Sequence, residues 1–180
     1  MKVVAVDGSP VGGGRTETAL RAVLGGAAAH GAETVLHPLA EGADVDAIGA
    51  ALGEADAVVF GSPVYRASFA FPLKTFLDGL PRGMWGETEE PIRAKATGIV
   101  LTGASWHHYL ALDDLRGILS GFFAAHVLAP GLYVPNELFD EAKQLLDTAR
   151  EPAERTGAGL VDLAAAIAAS PALGSIAPQA

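Results

Sequence analysis

The chain predicts an α/β fold, a three-layer sandwich with a five-stranded parallel sheet between helices. Three observations carry that reading. Five apolar runs stand out, at residues 3–6, 34–37, 57–61, 97–102 and 126–134. Most are continuous rather than alternating, as expected of strands covered on both faces. Helical patterns lie between them, which implies parallel pairing through right-handed crossovers.

The first strand is Lys2-Val3-Val4-Ala5-Val6-Asp7. It stops at Gly8-Ser9-Pro10-Val11-Gly12-Gly13-Gly14-Arg15-Thr16-Glu17-Thr18, after which a helix spans 18–30 with Leu20, Val23 and Leu24 on one face. A strand at 34–37 and a short helix at 45–52 follow. The third strand, 57–61, leads into Gly61-Ser62-Pro63-Val64-Tyr65-Arg66-Ala67-Ser68. The next helix, 69–80, carries Phe69, Leu73, Phe76, Leu77 and Leu80 at three- and four-residue spacing, with Ser68 as its expected cap. Residues 82–93 are polar and read as a surface loop. The fourth strand, 97–102, runs into Thr102-Gly103-Ala104-Ser105-Trp106-His107-His108. A helix at 109–123 presents Leu112, Leu115, Ile118, Leu119, Phe122 and Phe123. After the fifth strand, 134–144 reads as a second surface loop and 155–169 as the closing helix. Residues 170–180 are expected to fray.

Composition narrows the function classes. A chain of 180 residues with 50% hydrophobic residues suits one domain, here 1–180. The net charge of −9 argues against nucleic acid, because no basic patch exists to meet a phosphate backbone. With no cysteine, thiolate metal sites, disulfides and a catalytic thiol are excluded. No apolar run approaches the length of a membrane span. The first residues read as a strand, not a secretory signal. A cytoplasmic protein is expected.

The first loop suits an anion. Amides at a helix N-terminus have no intrahelical partner, and the helix dipole is positive there. It is neither a P-loop, since no Lys follows a glycine, nor the dinucleotide fingerprint, since the glycine spacing differs. A plain glycine-rich strand-to-helix turn has the same composition. Ligands in open α/β sheets sit outside the carboxyl ends of the strands. The loops after the first, third and fourth strands all carry small residues, hydroxyls and rings. A flat aromatic cofactor with one phosphate needs that distribution, its phosphate in the first loop and its ring between the other two.

At these loops the chain resembles the NAD(P)H-dependent FMN reductase family, whose fold is flavodoxin-like. The resemblance rests on Gly8-Ser9-Pro10 through Arg15-Thr16-Glu17-Thr18 and on Ser62-Pro63-Val64-Tyr65-Arg66-Ala67-Ser68 with Leu73-Lys74-Thr75-Phe76-Leu77-Asp78-Gly79-Leu80-Pro81. Its third part is Thr102-Gly103-Ala104-Ser105, His108 and Leu110-Ala111-Leu112-Asp113. It covers residues 1–134 and is similar above all to reductases that feed reduced flavin to two-component monooxygenases. Two departures stand out. Gly12-Gly13-Gly14 replaces a stretch where relatives often place a polar residue, and the helix after Asp113 is one residue shorter than in sulfonate-type relatives.

The resemblance implies strand order 2-1-3-4-5, FMN as cofactor and NADH or NADPH as hydride donor. It implies a homodimer or homotetramer and a flavin-dependent monooxygenase as partner. Phe69, Phe71 and Phe76 cannot all face one sheet, which also points to a partner copy. Ser9, Arg15, Thr16 and Thr18 are the expected phosphate set. Pro63, Val64, Tyr65 and Arg66 are expected beside the ring, and Thr102, Gly103, Ala104 and Ser105 around its pyrimidine end. Trp106 and Tyr109 are expected at the open face of the flavin or at a subunit interface. No side chain is assigned as catalytic, His107 and His108 included, because the cofactor carries the hydride. His30, His37 and His126 are expected to be structural, and no metal is expected. Two alternatives stay open. One is an FMN-bound reductase of quinones, azo compounds or metal oxyanions, and the other a flavodoxin-type electron carrier.

Overall fold

The computed structural model describes residues 1–178. Strand β1 (Lys2–Asp7) lies between β2 (Glu33–Pro38) and β3 (Ala57–Tyr65), and β3 pairs in turn with β5 (Ala96–Gly103). Two short strands, β6 (His126–Val127) and β7 (Leu132–Pro135), pair successively along β5. All these pairings are parallel. A two-residue strand, β4 (Ser68–Phe69), folds back antiparallel on β3.

The expected order 2-1-3-4-5 therefore holds, in a sheet of seven strands rather than five. The fifth apolar run is broken in two, because Pro130 has no N–H for the ladder and Gly131 sits at φ 86°. The extra strand arises because β3 runs to Tyr65 and turns back at Arg66 and Ala67.

Alternation along the strands sorts the core into two layers. Val4, Val6, Val58, Phe60, Ile99 and Leu101 face one side. There they pack against α2 (Val45–Glu54), α3 (Phe71–Gly79) and α4 (Ala111–Arg116). Val3, Ala5, Ala57, Val59 and Val100 face the other, against α1 (Arg15–Ala29) and α5 (Asp147–Ala168). A Cβ on Gly26 would lie 1.9 Å from the Glu154 carbonyl oxygen, and one on Gly157 1.9 Å from that of Val23. Two glycines thus let the backbones of α1 and α5 touch, in the second half of α1.

Several boundaries differ from expectation. Helix α3 begins at Phe71 with Ala70 at its cap, so Ser68 is a strand residue and caps nothing. Helix α5 begins eight residues early, at Asp147, and carries Pro152 inside its second turn. Helix α4 continues as a π-helix over Gly117–Phe122. The expected surface loop 82–93 buries Ile92 and Arg82, whose guanidinium stacks 3.7 Å from the Phe122 ring centroid and 4.8 Å from that of Trp85. Ser170, at the head of the tail expected to fray, caps a short helix α6 (Pro171–Gly174). The last two positions of that tail lie outside the described residues. His30 bonds Asp162 at 3.1 Å and His126 bonds the Leu173 carbonyl at 2.9 Å, both joining elements of the scaffold. Among the described residues no helix is long and apolar enough to cross a membrane.

Candidate functional site

Parallel strands all end on one side, so the segments leaving β1, β3, β5 and β7 converge. Between them lies a cavity of about 390 Å³. It is lined by Ser9, Arg15 and Thr16 from the first loop, Pro63, Val64 and Tyr65 from β3, and Thr102, Gly103 and Ala104 from β5. Nine of the twelve expected site residues thus meet at one opening, of a size ordinary for small-molecule sites.

The first loop beside it is polar and internally tied. Asp7, the last residue of β1, is 1% exposed. Its Oδ1 accepts from the Ser9 amide at 2.9 Å and from Ser9 Oγ at 2.6 Å. Burial pushes the Asp7 carboxyl up from its ordinary value, only partly offset by the two bonds from Ser9, and the charge of Glu17 adds to the rise. Asp7 Oδ2 has no partner. Thr16 Oγ1 and Thr102 Oγ1 lie 2.7 Å apart, both buried, and join the first loop to the end of β5.

The N-terminus of α1 is open. Its cap is Gly14, and no side chain bonds to its first amides. The hydroxyls that suit capping are used elsewhere, Ser9 on Asp7 and Thr16 on Thr102. Arg15 lies at the same place, its guanidinium carbon 5.7 Å from the centroid of Phe139 and its buried Nε without a partner. An uncapped helix end, an arginine with a free N–H and a wall of small residues supply the donors that an anion requires.

Three expected residues are not part of this lining. Thr18, one turn into α1, donates to the Gly14 carbonyl at 3.3 Å and lines a separate cleft with Glu17 and Arg21. Helical geometry sets it on that cleft and not in the lining of the cavity. Arg66 occupies the β3–β4 turn at φ 54°. Ser105 lies beyond the rim. Its carbonyl accepts from Tyr133 Oη at 2.7 Å, and its Oγ meets His107 Nδ1 at 3.0 Å. Tyr65 is 57% exposed and stands at the mouth. Trp106 and Tyr109 are also exposed, with Trp106 Nε1 donating to Glu137 Oε1 at 2.6 Å. The histidine pair next to them is outside the cavity.

Sequence reasoning missed Asp7, Asn136 and Lys143, of which the last two line the cavity. Asn136 directly follows β7, so the carboxyl-end rule, applied to the fifth strand as well, finds it. Lys143 has no such signal. It arrives by a hairpin in the segment expected to be a surface loop, where Phe139 pairs with Leu145.

Known proteins resemble this chain in fold and in sequence. A solved NADH:FMN oxidoreductase (EMOB, apo form) superposes with a TM-score of 0.76 at 22% identity, covering 96% of this chain and 92% of that one, a likeness of fold. The NADH-dependent FMN reductase SfnF of Pseudomonas putida is 35% identical over 91 residues, which are 51% of this chain and 45% of the relative. An FMN reductase (NADPH) of the same species is 38% identical over 101 residues, 54% of this chain and 46% of the relative. The match thus spans about half the length of the curated relatives. The family model for NADPH-dependent FMN reductases matches residues 1–138, a stretch that holds β1 through β7 and every expected site residue, and the chain belongs to that family.

Proposed function

We propose that this chain binds FMN in the cavity and reduces it with NADH or NADPH. The observation that supports this most is the open N-terminus of α1 with the unpartnered Arg15 Nε beside it, at the same cavity as the ends of β3 and β5. The donor set fits a phosphate, and the small and apolar residues opposite fit a flat ring. Bound FMN would supply the hydride acceptor. Arg15 and the first amides of α1 hold the phosphate. Pro63, Val64 and Tyr65 wall one side of the ring, and the backbone of Thr102, Gly103 and Ala104 offers donors to its polar edge. The residues orient and exclude water, and no side chain moves a proton.

Reduced flavin then serves a monooxygenase or another acceptor, and the working form is a homodimer or homotetramer. Phe71 supports the latter. It is 71% exposed at the start of α3, whereas Phe76 is buried and Phe69 half-buried. A monomeric mass by light scattering at micromolar concentration refutes the assembly.

Titration of the purified protein with FMN and with riboflavin tests the binding, with tighter FMN binding expected. Equal dissociation constants overturn the phosphate assignment. Arg15→Ala should weaken FMN by about 1–3 kcal/mol and leave riboflavin unchanged. Anaerobic NAD(P)H oxidation with added FMN separates a reductase from an electron carrier. Loss or retention of yellow colour on dialysis then tells a flavin substrate from a resident cofactor.

A further inference from the structure

The hairpin beyond the family match brings a second cation to the anion site. After β7 the chain makes a 3-10 turn, Asn136–Leu138, and then pairs Phe139 with Leu145. The connecting residues form a tight loop. The Lys143 amide donates to the Asp140 carbonyl at 3.0 Å, and the Asp140 amide to the Gln144 carbonyl at 2.9 Å. Asp140 Oδ1 accepts from the Gln144 amide at 2.8 Å. This is a three-residue hairpin loop whose last residue must be left-handed, a position that glycine fills without strain. Here it is Lys143, at φ 62°. A non-glycine residue in that region is strained, and such residues concentrate at ligand sites.

Lys143 lines the same cavity as Arg15, Ser9 and Thr16. The hairpin is fixed to Arg15, because Phe139 at its base lies under the Arg15 guanidinium. Among the described residues neither Arg15 nor Lys143 forms a salt bridge. The acidic side chains nearest in sequence are Glu17 beside Arg15, and Glu141, Asp140, Asp147 and Glu137 beside Lys143. Glu17 accepts from the Gly13 amide at 2.7 Å and pairs with Arg21, and Asp147 pairs with Arg150. Glu137 accepts from Trp106 and Asp140 from the loop amide, while Glu141 is exposed. In a chain of net charge −9, two cations without carboxylate partners at one opening mark a place for a dianion.

We propose that Lys143 is a phosphate-binding residue that acts with Arg15 on the terminal phosphate of the flavin nucleotide. The assignment rests on the FMN reading above. The loop backbone sets the side chain at the rim, and the left-handed conformation is the cost of placing an ammonium where glycine fits best.

Lys143→Gly is the decisive variant, because it removes the charge and also relieves the backbone. FMN should bind about five- to tenfold more weakly, as for one lost charge-assisted contact. Riboflavin should bind unchanged, the salt dependence of FMN binding should flatten, and the thermal midpoint of the unliganded protein should hold or rise. Lys143→Arg should retain FMN affinity. If the wild type prefers FMN over riboflavin and Lys143→Gly keeps that preference in full, the role of Lys143 is wrong and the FMN reading stands. If the wild type shows no preference, both fall. Equal weakening of FMN and riboflavin, or a lowered midpoint, makes the residue structural and overturns the assignment.

Discussion

Thr16 Oγ1 and Thr102 Oγ1 lie 2.7 Å apart, 86 residues apart in the chain, and form the side-chain bond between the first loop and the end of β5. Each hydroxyl is buried, so removing one strands the other. Thr16→Val and Thr102→Val should each cost about 1–3 kcal/mol, while the double variant should cost well under their sum. Urea unfolding of the unliganded protein measures all three. Strict additivity would mean that the two hydroxyls do not interact.

Gly103 is held small by Tyr133, which donates its hydroxyl to the Ser105 carbonyl at 2.7 Å. A Cβ on Gly103 would lie 2.0 Å from Tyr133 Oη and 2.9 Å from its Cζ. A protein ring alone thus keeps this position small. Gly103→Ala should therefore destabilise the protein even without flavin, by about 1–3 kcal/mol, the usual cost of overpacking. In a Tyr133→Phe background the penalty should shrink, because the nearest atom is gone. An unliganded Gly103→Ala protein with wild-type stability would contradict this packing.

Asp7 carries a pH dependence whose sign follows from its burial. Its carboxyl is raised in the folded state, so below the ordinary value of 3.8 both states are protonated and the group is neutral to stability. As pH rises, the unfolded chain ionises first and folding loses free energy until the folded-state value is passed. Asparagine keeps an oxygen for the Ser9 bonds and cannot ionise. Asp7→Asn should match the wild type near pH 3.5 and become the more stable of the two toward neutrality. Chemical denaturation across that range decides it, and a variant that is less stable at pH 7 than at pH 3.5 relative to wild type refutes it.

His107 and His108 are not among the residues that line the cavity, and His107 Nδ1 is engaged by the Ser105 hydroxyl. If the chain's task is alignment, neither ring is required. His107→Ala and His108→Ala should each slow flavin reduction by less than about tenfold in anaerobic single-turnover absorbance measurements. A thousandfold loss with FMN binding intact would give one of them an acid–base role.

Much of this molecule was legible in its sequence because the signals are local. The continuous apolar runs reflect strands buried on both faces, and the break from strand to glycine loop to helix locates the anion end of the site. The carboxyl-end rule and the family resemblance pointed to twelve residues, of which Ser9, Arg15, Thr16, Pro63, Val64, Tyr65, Thr102, Gly103 and Ala104 line one cavity. Tertiary structure decided what depends on direction and distance. Thr18 turned away because a helix rotates each residue by a fixed angle, and Ser105 turned outward because Tyr133 claimed its carbonyl. Asp7 became a buried anchor because β1 ends beneath the loop, a depth that its apolar flanks do not encode. Asn136 and Lys143 reached the cavity through contacts some thirty residues or more from the third loop. No periodicity records such contacts, since a hairpin's path is set by what it packs against, here Phe139 under Arg15, and not by its own composition.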